Sequence, residues 1–134
     1  MKDNGPNPYV VNIEEASLQN DNFRTAIWTG KYSQTTLMAI QPGDDIGLEM
    51  HDNHDQFLRL EQGTARIEMG TSKEELQTWE VGDDFAIFIP AGTWHNLTNI
   101  GNEPVKLYSI YSPGEHPHGT VHATKAEADA AEGH

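Results

Sequence analysis

Between Gly43 and Gly63 the chain carries Glu49 and His51 two residues apart, with Gln56 five positions further on. A second histidine, His95, closes the segment Pro90-Ala91-Gly92-Thr93-Trp94-His95, just past a proline-glycine turn. Together these supply two imidazoles, one carboxylate and one amide oxygen. That set suits a single divalent transition ion (Mn, Fe, Ni, Cu or Zn), and spacing alone does not choose among them. The chain has no cysteine. Thiolate metal sites and disulfides are therefore excluded, and any metal must be held through nitrogen and oxygen.

The four side chains can meet only if strands bring them together. The run Ile46–His51 reads as a strand, and alternation along it points Glu49 and His51 to one face. Gln56, Leu58 and Leu60 share one face of the next run, Gln56–Glu61. If these two pair across residues 52–55, Glu49, His51 and Gln56 converge in an interior that His95 also enters. Further short β-rich runs cover Phe23–Thr29, Thr35–Ile40, Thr64–Met69, Trp79–Val81, Phe85–Ile89, Trp94–Asn99 and Val105–Tyr111. Turn residues punctuate each of them, which indicates an all-β sandwich or barrel. Helical signal is thin. Ser72–Leu76 reads as one capped turn, with Ser72 and Glu75 at capping-box spacing. Thr124–Glu132 reads as a short helix or, from its composition, a solvated tail. The expected organisation is a loose leader over residues 1–9, one domain over 10–114 and a polar tail over 115–134.

These segments resemble the cupin superfamily. The first cupin motif reads Gly, five residues, His-any-His, three or four residues, Glu, six residues, Gly. Here the chain has Gly43, five residues, Glu49-Met50-His51, four residues, Gln56, six residues, Gly63. The second motif ends in Pro-any-Gly, two residues, His, three residues, Asn, and Pro90-Ala91-Gly92, His95 and Asn99 match it. Three positions depart. Glu49 replaces the family's first histidine, Gln56 replaces its glutamate, and Asp84 takes the glycine position before Pro90, with Gly82 two residues away. The even shift of that glycine keeps strand facing unchanged. The two ligand swaps are complementary and leave one negative charge, which favours a retained metal site of altered geometry. The resemblance implies a cupin-type double-stranded β-helix, or jelly-roll β-barrel, with Glu49, His51, Gln56 and His95 as metal ligands. It also implies a homodimer.

Other polar residues have plainer expected roles. His54 reads as an exposed turn histidine, and His116, His118 and His122 as a surface cluster in the tail. Trp28, Tyr108 and Tyr111 read as core packing. Arg24 and Arg59 read as partners in salt bridges on the outer face, not as a grip on a carboxylate substrate. Gly43-Asp44-Asp45-Ile46-Gly47 has acids where a phosphate loop would need none. The net charge of −13, from 21 acids against 8 bases, opposes binding to nucleic acid or anionic lipid. No apolar run approaches the roughly 18 residues of a membrane span, and residues 1–6 lack a signal-peptide core. With 134 residues, the expectation is one cytoplasmic domain.

Fold does not choose an activity. The activities that the cupin resemblance implies, taken with this ligand set, lead to the expectation of a metal-dependent, oxidative enzyme acting on a small organic or carbohydrate substrate, with Glu49 able to serve as base. The alternatives are a non-redox isomerase or hydrolase, in which the metal acts as a Lewis acid, and a small-ligand or sugar-binding protein without turnover. Replacing Gln56→Glu adds a charged donor and is expected to leave metal affinity equal or higher in a chelator titration. A large loss of affinity would place Gln56 outside the ligand set.

Overall fold

The computed structural model describes residues 1–132. In chain order the elements are α1 Ile13–Gln19, β1 Arg24–Thr29, β2 Gln34–Ile40, β3 Asp55–Gln62, β4 Ala65–Ser72, β5 Glu75–Val81, β6 Ala86–Ile89, β7 Trp94–Asn99, β8 Val105–Ser112, β9 Val121–His122 and α2 Lys125–Glu132. A six-stranded sheet has the order β6-β3-β8-β2-β1-β9, and a three-stranded sheet has the order β5-β4-β7. Neighbouring strands pair antiparallel. This is the expected all-β jelly-roll barrel. Period-two alternation builds its interior: Gln56, Leu58 and Leu60 turn inward from β3, as do His95, Leu97 and Asn99 from β7. Each buried leucine there contributes roughly 1.5–3 kcal/mol. The polar inward residues of both strands therefore sit at the ends of apolar rows.

The run Ile46–His51 is not the regular strand its composition suggests. It lies beside β7 through two isolated bridges, Asp45 opposite Thr98 and Glu49 opposite His95. Four steps on one side oppose three on the other, so one residue is extra. Gly47, at φ 92°, takes the left-handed conformation that absorbs it. The expected helical turn at Ser72–Leu76 is instead the two-residue turn of a hairpin, in which Ser72 pairs with Glu75. The β4–β5 ladder overrides the capping signal, and a Cβ on Gly70 would come within 1.9 Å of the Glu75 carbonyl oxygen. The helix α1 was not anticipated. Its signal was the capping-box spacing of Asn12 and Glu15, and Asn12 Oδ1 does accept from the Glu15 N–H at 3.0 Å. It covers the outside of the larger sheet, where Ala16 packs near Ile27 and Leu37.

Within the described residues, the expected loose leader and tail are both tied to the body of the protein. The buried Asp3 carboxylate accepts from Gly5 N (2.9 Å), Thr29 N (3.0 Å), Thr29 Oγ1 (2.5 Å) and Gly119 N (2.9 Å). The tail forms β9 and α2, and Ala128 of α2 is buried in the main core. The last two residues of the expected tail, Gly133 and His134, lie outside the described residues. Among the described residues no helix is long and apolar enough to cross a membrane.

Burial by itself would raise the Asp3 carboxyl, but its bonds from Thr29, Gly119 and Gly5 and the charge of His118 hold it below the ordinary carboxylate range. Asp3→Asn sets an amide N–H₂ against these donors and is expected to cost roughly 1–3 kcal/mol. A depressed carboxylate stabilises the fold above its unfolded-state value and stops doing so as pH falls through its folded-state value. The gap between parent and variant in urea unfolding should therefore be full at neutral pH and close in acid.

Candidate metal centre

The turn Pro90–Gly92 delivers the chain into β7 with His95 facing inward, and the loop before β3 lies against that strand. Glu49 N–H donates to the His95 carbonyl at 3.0 Å, and His95 N–H returns to the Glu49 carbonyl at 2.9 Å. Gly92 N–H ties the turn to the His51 carbonyl at 2.7 Å. Three side chains then converge. Glu49 Oε1 is 3.3 Å from His51 Nε2 and 3.6 Å from His95 Nε2, and one donor atom from each residue lies within 4.8 Å of the others. Donors bound to one ion at about 2.0–2.2 Å stand about 3.0–3.6 Å apart, so the spacing fits a shared cation.

Hydrogen bonding sets the orientation of these donors. His95 Nδ1 is 3.0 Å from the Thr93 carbonyl oxygen, which can only accept, so in the neutral ring Nδ1 carries the proton and Nε2 presents a lone pair. That Nε2 is buried and has no hydrogen-bond partner among the described residues. Gln56 Nε2 donates to Ser109 Oγ at 3.0 Å, which leaves the amide oxygen Oε1 buried without a partner as well. Gln56 lines one small cavity with His51, His54 and His95. Two orphaned acceptors, each costing about 1–3 kcal/mol when left unsatisfied, are what a cation would relieve. Burial opposes ionisation of Glu49, but the close imidazoles of His51 and His95 outweigh it and hold the carboxyl far below its usual range. The structure thus gathers Glu49, His51 and His95, with Gln56 beside them.

Several other residues are placed differently from expectation. His54 is not exposed: it is buried, stacked on His51 with ring centroids 4.5 Å apart, and edge-on to Tyr111. Burial, and then the charge of His51, lower its pKa. Arg24 is not on the outer face. It is 5% exposed, lines the cavity beside the centre, and its Nη1 is 3.1 Å from His122 Nδ1. His116 is no loose tail residue. It folds back over the cavity, with Nε2 3.4 Å from Tyr111 Oη, and burial followed by the Arg24 charge pushes its pKa down to about 3. His118 Nε2 is 2.8 Å from the Gly5 carbonyl oxygen. Arg59 does keep the expected outer role, pairing with Glu61 at 2.8 Å and Asp84 at 3.0 Å. Tyr111 is buried as expected and also forms cavity wall, whereas Trp28 donates to the Asn7 carbonyl at 2.7 Å and Tyr108 packs beside α1. Glu115 was missed entirely. Its Oε2 is 2.8 Å from His51 Nδ1 and 3.7 Å from His54 Nε2.

The cavity measures about 430 Å³, and of its lining residues only Met50 and Pro117 are apolar. One wall is a strap, residues 113–119, fastened by the fully buried Gln34. Gln34 Nε2 donates to the His116 carbonyl at 2.9 Å, while its Oε1 accepts from Glu115 N at 3.2 Å and His116 N at 2.9 Å.

A family model for the Cupin domain matches residues 36–111. The chain belongs to the cupin family. Glu49, His51, Gln56 and His95 of this cupin lie inside the matched segment, and Arg24, Glu115 and His116 lie outside it. The uncharacterized protein YrkC of Bacillus subtilis is 61% identical over 133 residues, covering 98% of this cupin and 72% of that relative. A crystal structure of a Bacillus halodurans protein superposes with TM-score 0.96 at 58% identity, covering 97% of this chain and 99% of the other. A mutant of Bacillus subtilis oxalate decarboxylase superposes with TM-score 0.60 at 23% identity, over 66% of this chain and 23% of its own, a likeness of fold alone.

Gln34→Ala deletes the clasp on the strap. It is expected to lower stability by on the order of 1–2 kcal/mol, since it strands half-buried N–H and C=O groups of Glu115 and His116. Limited proteolysis should then cut within residues 113–119 faster than in the parent.

Proposed function

We propose that this cupin is a metal-dependent oxidative enzyme. Glu49, His51 and His95 hold one divalent transition ion, with Gln56 as the fourth ligand, and a small polar organic molecule occupies the adjoining cavity. The observation that carries this reading is the buried, partnerless Nε2 of His95, aimed with His51 Nε2 at one oxygen of an ionised carboxylate. Bacillus subtilis oxalate decarboxylase, which shares the fold, has Mn(II) centres. Nitrogen and oxygen ligands of this kind suit Mn or Fe as well as Cu, Ni and Zn. The chemistry such an ion supplies is binding of dioxygen and polarisation of a substrate oxygen.

The chain's own groups account for the rest. Glu49, ionised and at the edge of the cavity, is the base that takes a proton from the substrate. Arg24, Tyr111 and His116 offer donors on the facing wall and orient a hydroxyl or carboxylate. The strap with Pro117 narrows access to water. A volume of about 430 Å³ is at the small end of ligand cavities, which limits the substrate to a compact molecule.

His51→Ala and His95→Ala are each expected to lose the metal that the parent retains through purification, as read by elemental analysis. Full stoichiometry in either variant would refute the ligand set. Turnover of a panel of small hydroxy acids, keto acids and sugars should require dioxygen. Activity that persists anaerobically would overturn the oxidative reading, and ligand-induced melting shifts without product would overturn catalysis.

A further inference from the structure

We infer that Glu115, on the strap outside the family-matched segment, is the positioning residue that makes His51 a metal ligand. This inference rests on the centre proposed above. Carboxylate oxygens only accept, and His51 meets one at each ring nitrogen: Glu115 Oε2 lies 2.8 Å from Nδ1 and Glu49 Oε1 lies 3.3 Å from Nε2. The shorter contact holds a proton on Nδ1, so a cation bound between Glu49 and His51 meets the lone pair of Nε2. The two imidazoles of the centre are thus oriented in the same sense by different acceptors. His95 uses a neutral carbonyl two residues earlier in its own strand, Thr93. His51 uses a charged carboxylate from a distant part of the chain.

His51 needs such help more than His95 does. His95 sits in a β ladder and is 1% exposed, so its strand and its packing fix the ring. His51 lies in a loop without regular strand pairing, and its side chain is 22% exposed. Its ring stacks on His54 from one face, and Glu115 meets its edge at Nδ1. Glu115 in turn is held by its backbone, whose N–H donates to the buried Gln34 side chain that also binds both backbone groups of His116. A carboxylate bonded to the far nitrogen of a metal-bound imidazole fixes its tautomer, aims its lone pair and raises its basicity.

The test compares parent, Glu115→Gln and Glu115→Ala with Zn(II) as the probe. It measures stoichiometry and affinity by chelator competition, the melting temperature of each metal-free protein, and the His51 ring by ¹⁵N NMR of the Zn(II)-loaded forms. All three proteins are expected to bind one equivalent. Affinity should fall about 10–100-fold in Glu115→Ala and less in Glu115→Gln, which keeps an acceptor oxygen but no charge. The metal-free melting temperatures should stay close together. The Nδ1 proton of His51 should be slow to exchange in the parent and lost to exchange in Glu115→Ala. Equal affinity in parent and Glu115→Ala overturns this inference and leaves the metal centre standing. So does a parent that binds two equivalents and loses one in Glu115→Ala, since Glu115 would then be a ligand. An affinity loss matched by a collapse in metal-free melting temperature reduces Glu115 to a structural role and overturns it too. A parent that binds no Zn(II), Mn(II) or Fe(II) overturns both readings together.

Discussion

The reciprocal backbone bonds between Glu49 and His95 are the contact on which the rest of the site depends. They lock residues far apart in the chain opposite one another, and the side chains follow. The register of this pairing is not the one that begins at Asp45 and Thr98. One residue is inserted between the two bridges, and Gly47 carries the backbone conformation that accommodates it. A strand without that insertion would offset Glu49 from His95 by one residue and turn its carboxylate to the other face. The departure from regular strand geometry is therefore what points the carboxylate inward.

The second constraint is electrostatic. The chain is strongly acidic, yet it places Glu49 and Glu115 on either side of one imidazole, His51, at a partly buried site. Two carboxylates at such a place are costly unless positive charge lies between or beside them. Across the cavity the protein supplies some of that charge through Arg24. His54 and His116, by contrast, are driven toward their neutral forms by burial. The interior thus holds two carboxylates among imidazoles whose lone pairs remain available, which is a donor set for a cation.

What the sequence revealed tracks what depends on local periodicity. The inward rows of β3 and β7 were legible because alternation is a local rule, and Gln56 and His95 fell on the correct face with them. The proline-glycine turn ahead of His95 was legible for the same reason. Glu115, Arg24 and His54 were not. Glu115 acquires its meaning from a strap that crosses the molecule to reach Gln34, and nothing near residue 115 announces that path. Arg24 was assigned outward because charged residues in strands of an acidic protein commonly pair on the surface. His54 was assigned to solvent because its neighbours Asp52, Asn53 and Asp55 are polar, although Tyr111 and His51 cover it. The hairpin at Ser72–Glu75 shows the reverse error: a local capping signal was real as a pattern, and the strand ladder on either side of it prevailed.

The bonds of Asp3 tie both ends of the chain to one spot. Its two oxygens reach β1 at Thr29 and the strap at Gly119, two residues beyond Pro117 in the cavity wall. The third residue of the polypeptide is in this sense a hinge pin for the door of the cavity. Loss of its carboxylate would unfasten Thr29 and Gly119 together, the one beside the amino-terminal segment and the other beside the cavity wall.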